Sequence, residues 1–307
     1  MQVAVGPVPR RIPLAAAMFD MSRGRQALLS VAQPVLCVLI ALGRLPGARV
    51  ALLGTVAALA GELAVYSLND VLDYRADAES LRAGKGDVTG FDIDTTFERH
   101  PIAHRHVSLS LGVAWVAFLC AVFSVAAWLL SPWCLLLFAG AVGLQVVYCL
   151  LRRVTWTKTI ISGVMVAVGS LAGWVAVAPL GPRALWPFLF LAAWEIDRNL
   201  TNDLADIESD SRVGLATVAH LYGPRVSARA IFGMMLATVV LAALLPMPWP
   251  ARALAVAGGI WSMVLPAGRL LRRPTPAMAA AHFNHVSVYP VIVVVALLLA
   301  WAIRGIA

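Results

Sequence analysis

A bundle of nine membrane-spanning helices is the fold this sequence predicts, and three observations predict it. The 307-residue chain is 61% hydrophobic and only 13% charged, whereas a soluble domain carries about a quarter of its residues as Asp, Glu, Lys or Arg. Its apolar residues gather into blocks about 20 long, the length that crosses about 30 Å of hydrocarbon as a helix. Its basic residues concentrate on alternate connections between those blocks. An ordinary globular enzyme, a disordered chain and a secreted disulfide scaffold are all excluded.

The spans are expected near 26–43, 49–68, 107–130, 132–151, 158–180, 184–202, 226–246, 250–267 and 286–304. In lipid each segment must satisfy its own backbone polar groups, so each should be a helix. Residues 1–22, with Arg10 and Arg11, precede the first span, and the whole chain, 1–307, reads as one domain. Turns such as Leu180-Gly181-Pro182 separate neighbours tightly. The connections 69–106 and 203–225 are long, and long loops in compact proteins are usually functional or disordered. Nineteen of the 24 Lys and Arg fall on the N-terminal side, so the N-terminus and both long loops are expected in the cytoplasm and the C-terminus outside. The chain has no transit peptide and is rich in Ala, Val and Leu, which points to a bacterial plasma membrane. The net charge of +8 does not mark a nucleic-acid binder, because the basic residues stand singly rather than along one face. Cys37, Cys120, Cys134 and Cys149 all lie in apolar blocks without metal-site spacing and are expected as buried thiols.

The acidic residues locate the chemistry. Of 16, eight lie between Asp70 and Glu98 and six between Glu195 and Asp210, leaving Asp20 and Glu62 elsewhere. Asn69, Asp70, Asp73 and Asp77 repeat the spacing of Asn202, Asp203, Asp206 and Asp210, N-D-x-x-D-x-x-x-D in both. At about 100° per residue, three carboxylates so spaced fall within about 60° of one helix face. An ionised Asp costs about 2.5–3.5 kcal/mol at the bilayer centre by insertion scales, so such a face persists most readily when a cation neutralises it. Oxygen-only ligands suit Mg²⁺, which keeps waters and substrate phosphate oxygens in its remaining positions. Two such faces opposed would clamp a diphosphate.

At these residues the chain resembles the UbiA superfamily of intramembrane prenyltransferases. The first motif of that family continues to Arg82, and the second continues to Gly214 and Thr217. The resemblance implies nine helices around a central cavity, both Asp motifs facing it, and Mg²⁺ held by Asp70, Asp73, Asp77, Asp203, Asp206 and Asp210. It further implies diphosphate contacts from Asn69, Arg82, Lys158, Asn202 and Arg212. Arg23, Tyr148, His100 and Trp194 are candidates for acceptor or carbocation contact. The sequence departs from the family where relatives carry R-P-L-x-x-G-R. Here the chain reads His100-Pro101-Ile102-Ala103-His104-Arg105-His106, and 84–98 reads as an insertion.

The implied activity is Mg²⁺-dependent transfer of a prenyl group from an isoprenoid diphosphate to an acceptor, commonly an aromatic or quinone precursor. The altered 100–106 segment keeps open a cyclase that needs no acceptor. A divalent-cation transporter is the alternative of another class, opposed by the placement of both acid clusters at one face. The histidines, including His220, His282 and His285, are expected on cytoplasmic loops. Glu195 and Asp197 read equally as functional acids or as partners of Arg198.

Overall fold

The computed structural model describes residues 12–82, 93 and 95–305, and their regular structure is helical throughout. Arg10, Arg11 and most of the 84–98 insertion lie outside the described residues. Two short helices, α1 (Leu14–Met21) and α2 (Gly24–Ser30), lead into α3 (Ala32–Leu42), which ends at Gly43 in the left-handed conformation. α4 (Ala48–Arg82) is the longest helix, followed by α5 (Leu109–Leu130), α6 (Pro132–Leu151), α7 (Lys158–Val175) and α8 (Leu185–Ala205). The short α9 (Ile207–Val213) and α10 (Val218–Tyr222) precede α11 (Pro224–Leu244) and α12 (Trp249–Gly259). A π-helical turn over Ile260–Val264, just ahead of Pro266, joins α12 to α13 (Leu265–Arg272), because proline cannot close the regular hydrogen-bond ladder. α14 (Pro276–Ser287) and α15 (Tyr289–Arg304) end the bundle.

Among the described residues, eight helical segments are long and apolar enough to cross a membrane, including Gly24–Leu42, Ala48–Arg75, Trp249–Arg272 and Pro276–Ile303. The expected span 184–202 forms α8, which has the length. Glu195, Asp197, Arg198 and Asp203 make it too charged to count on composition, so length and apolarity do not establish nine crossings. α8 is instead the buried axis of the bundle, packed against α7, α11 and α14. Where it meets α7, Gly163 has no room for a side chain: an added Cβ would stand 2.7 Å from the Ala192 carbonyl oxygen. Close backbone approach through small residues is how membrane helices gain packing.

Two sequence boundaries are corrected. Residues 69–82 are not loop but the last turns of α4, since this polar stretch is rich in good helix formers and meets no glycine before Gly84. The final span begins at Pro276, ten residues earlier than expected, with Thr275 capping it through a hydrogen bond from the Met278 amide. His282 is therefore buried inside the bundle rather than on a loop. The four cysteines are free, Cys37 and Cys134 buried as expected and Cys120 and Cys149 only half-buried.

Candidate functional site

Motif one rides on the C-terminal half of α4. Asp70 and Asp73 are buried there, while Asp77, one turn nearer the end, is half-buried. Motif two straddles a helix break. α8 stops at Ala205, Asp206 takes a non-helical conformation, and α9 restarts at Ile207, yet the Asp210 amide still donates to the Asp206 carbonyl at 2.9 Å. The uninterrupted face expected for the second set is thus kinked at its middle aspartate. Asp73 and Asp77 of the first set and Asp203, Asp206 and Asp210 of the second line one cavity of ≈ 990 Å³, which Arg23, Asn69, His100, Tyr148, Lys158 and Asn202 also border; Asp70 lines an adjoining pocket of ≈ 80 Å³ that shares His100 and Asp206 with it.

Cations sit among these acids in specific pairs. Lys158 Nζ, at the N-terminus of α7, donates to Asp203 Oδ1 at 2.8 Å and to Asn199 Oδ1 at 3.3 Å. It also stands 5.2 Å from the Tyr148 ring centre. Arg152, just past α6, pairs with Asp73, and Arg99 reaches Asp206 at 3.6 Å. Asn69 Oδ1 accepts from Gln145 Nε2 at 3.0 Å, and the Asn199 amide donates to the Tyr148 hydroxyl at 3.4 Å.

His100 enters from the loop after α4. Its Nδ1 lies 3.0 Å from Asp77 Oδ2 and 3.5 Å from Asp70 Oδ1. Burial works against its charge, but the hydrogen bonds and negative charge of Asp70 and Asp77 outweigh burial and push the imidazole up to about 9. Its backbone is left-handed, with φ 54°, a conformation a non-glycine residue holds only when its surroundings enforce it. Asp20 anchors the segment just before His100. Its carboxylate accepts from the Thr96, Phe97 and Glu98 amides at 2.9, 2.6 and 2.8 Å. Hydrogen bonds to a charged group contribute about 1.5–3 kcal/mol, so Asp20→Ala is expected to lower the thermal midpoint and to expose Arg99 and Arg105 to trypsin, with limited digestion as the check.

The G-x-x-T tail of motif two is structural. Gly214 ends α9 at φ 70°, and Thr217 Oγ1 caps α10 by accepting from the His220 amide. Between them the Ala216 amide donates to the Arg152 carbonyl at 2.9 Å, which ties the Arg152 backbone to motif two.

Not every expected residue converges. Arg212 is exposed at the end of α9 and is absent from the cavity wall. Trp194 is packed in the core, its indole N–H donating to the Val286 carbonyl at 2.9 Å. The Arg82 side chain lies outside the described residues. Glu195 is bound by Arg198, Nε to Oε2 at 2.7 Å, which decides for pairing at that residue. Arg152, Arg99, Asn199, Gln145 and Asp20 were missed as site residues. Only Gln145, a lone amide in an apolar span, carries a signal in sequence.

Toward the interior, a cavity of ≈ 140 Å³ shares Arg23, Asn69, Tyr148 and Asn202 with the acidic one. It shares Glu62, Val65, Met165 and Val166 with an apolar chamber of ≈ 320 Å³. Asp70, Asp77 and His100 offer ligand atoms within 4.8 Å of one another, Asp77 and His100 on the acidic cavity and Asp70 on the pocket beside it. The buried Asp70 Oδ2 and Asp203 Oδ2 have no hydrogen-bond partner among the described residues. Orphaned buried carboxylate oxygens are costly, and the donor set fits a divalent cation.

Fold and site together define an integral membrane protein with a polar, acid-lined rim over an apolar interior. A family model described as the UbiA prenyltransferase family matches residues 30–289, and the chain belongs to that family. It is an intramembrane prenyltransferase. Protoheme IX farnesyltransferase of Alkalilimnicola ehrlichii is 28% identical over 232 residues, 73% of this chain and 72% of that one. Lycopene elongase/hydratase of Corynebacterium glutamicum is 23% identical over 189 residues, 61% of this chain and 62% of that one. A UbiA homolog from Aeropyrum pernix K1 superposes with TM-score 0.69 at 18% identity, over 94% and 99% of the two chains. One from Archaeoglobus fulgidus, bound to DMAPP and Mg²⁺, superposes with TM-score 0.65 at 14% identity, over 91% and 98%. At these identities the structures establish a shared fold.

Proposed function

We propose that the chain transfers the prenyl group of an isoprenoid diphosphate to an aromatic or quinone-precursor acceptor, with Mg²⁺ as the divalent ion. The observation that carries this reading is the placement of aspartates from both motifs, Asp73 and Asp77 with Asp203, Asp206 and Asp210, on one ≈ 990 Å³ cavity that shares walls with a polar neck and, through it, with an apolar chamber. The rim suits the diphosphate and the chamber the hydrocarbon tail. The Mg²⁺- and DMAPP-bound relative supports the substrate class.

Asp70, Asp77 and Asp203 are the carboxylates that would hold the ion, with His100 beside the first two and Asp206 and Asp210 completing the opposite wall. Bound there, Mg²⁺ would neutralise charge developing on the leaving diphosphate. Asp73 is neutralised by Arg152 and Asp203 in part by Lys158, so these pairs orient carboxylates and place cationic donors where diphosphate oxygens arrive. Asn69 and Asn202, on the wall shared with the neck, are assigned to diphosphate contact. Tyr148 and Arg23, also on the wall shared with the neck, are assigned to the region of the allylic carbon. The apolar chamber keeps water from a carbocation. The site is read as facing the cytoplasm, on the distribution of Lys and Arg.

The test uses purified protein in detergent with Mg²⁺ and allylic diphosphates of increasing length. Acceptors are aromatic acids and phenols, with protoheme IX and lycopene included because the curated relatives carry those names. Acceptor-dependent diphosphate release is the expected result, and a matching prenylated product names the acceptor. Release without acceptor, giving a cyclic product, would replace transfer by cyclisation. No release from any diphosphate sinks the reading.

A further inference from the structure

Glu62 is the acid on α4 that the two aspartate sets leave unexplained. It precedes Asn69 by two helical turns, which at about 1.5 Å per residue places it ~10 Å farther into the membrane; at about 100° per residue it shares the face of Asn69 and Asp73. Its side chain lines both the ≈ 140 Å³ neck and the ≈ 320 Å³ apolar chamber, at the point where the two meet. A carboxylate inside a membrane span is costly, and those retained line cavities or pair with other groups. The other acid on the neck, Glu195, is committed: Arg198 donates to both its oxygens, at 2.7 and 3.2 Å, and Ser162 Oγ donates to Oε1 at 2.8 Å.

Prenyl transfer to an aromatic carbon or a hydroxyl oxygen produces one proton. The allylic C–O bond breaks and its electron pair leaves on the diphosphate. The freed carbon bonds to an acceptor carbon or oxygen, and the hydrogen which that atom carried departs as H⁺, leaving its bonding pair with the acceptor. The balance is prenyl diphosphate plus acceptor–H giving prenyl–acceptor, diphosphate and H⁺, with no oxidation or reduction. An acceptor entering opposite the departing diphosphate would shed this proton on the neck side of the reacting carbon, away from the aspartates of the acidic cavity. Of the two acids on the neck, Glu62 is the one that also lines the apolar chamber. Resting on the prenyl-transfer reading above, we propose that Glu62 is a catalytic residue, the base that takes this proton.

Full-length protein in detergent with Mg²⁺ and farnesyl diphosphate, with and without the acceptor panel, tests it. Two quantities are read: diphosphate release, and the partition between proton-loss products (prenylated acceptor or farnesene) and farnesol from capture by water. A positioned base contributes about 10²–10⁴-fold. Glu62→Gln is therefore expected to leave release within about threefold of wild type while proton-loss products fall about 100-fold and farnesol rises. Glu62→Asp, its carboxylate drawn back by one methylene, should show an intermediate partition, and it carries the test if Glu62→Gln does not fold. A wild-type partition in both variants overturns the proposal and leaves the diphosphate as base. A parallel fall in release and products with the partition unchanged overturns it in favour of a packing role, as does wild-type protein that yields only farnesol. Absence of release from wild type overturns the prenyl-transfer reading along with it.

Discussion

Asp70→Ala and Asp77→Ala should each lower diphosphate release by about 10²–10³-fold, the loss that follows removal of one group stabilising transition-state charge. Asp73→Asn should do less. The three residues share one motif, but Asp73 is already neutralised by Arg152, whereas Asp70 Oδ1 and Asp77 Oδ2 face His100 and Asp70 Oδ2 has no hydrogen-bond partner among the described residues. Release rates measured against Mg²⁺ concentration check the ordering. The Asp70 and Asp77 variants should need more Mg²⁺ as well as turning over slowly, and Asp73→Asn should keep a near-native Mg²⁺ dependence. Equal shifts in Mg²⁺ dependence for all three would refute the division of labour drawn from the ion pairs.

Lys158→Met is expected to cost about 3–5 kcal/mol of stability, because it strands Asp203 as a buried charge. The pair is enclosed, with side chains 3% and 5% exposed and the two atoms 2.8 Å apart. Replacing both partners with apolar side chains, Lys158→Met together with Asp203→Leu, removes the stranded charge and should recover most of that loss. Activity should not recover with it, because Asp203 is assigned to the metal and Lys158 to the diphosphate. Unfolding in detergent and diphosphate release, measured on the same three samples, separate the two effects. A double variant as unstable as Lys158→Met alone would show that the ion pair is not the source of the loss.

Much of the site was legible because its signals are local. Two copies of N-D-x-x-D-x-x-x-D put Asp70 and Asp203 in view, and an isolated acid such as Glu62 inside an apolar block stands out by cost alone. Arg152 and Arg212 show where that legibility stops. Both are basic residues at helix ends near the motifs, and proximity in sequence favours Arg212, which lies two positions beyond Asp210. In the structure Arg212 is exposed, while Arg152 comes from the end of α6 to pair with Asp73 on α4. Which arginine reaches the acids depends on how α4 and α6 pack, and no spacing within one segment encodes that. Asp20 is a similar case: its three amide partners lie 76 to 78 positions away, on the loop that carries His100.

By itself the sequence determined what depends on composition and short-range period. Its apolar blocks require a membrane interior, because nothing else can bury so much hydrocarbon on so few charges. Its aspartate spacing places several carboxylates on one side of each helix end, and the family motif follows from those same residues. Tertiary structure decided which charges meet. The pairing of Lys158 with Asp203, the left-handed His100 held between Asp70 and Asp77, and the neck at Glu62 each join segments from different helices. Their geometry is set by helix packing at close-approach points such as Gly163 against Ala192. Local sequence determines how a helix presents its faces; only the packed bundle determines what those faces meet.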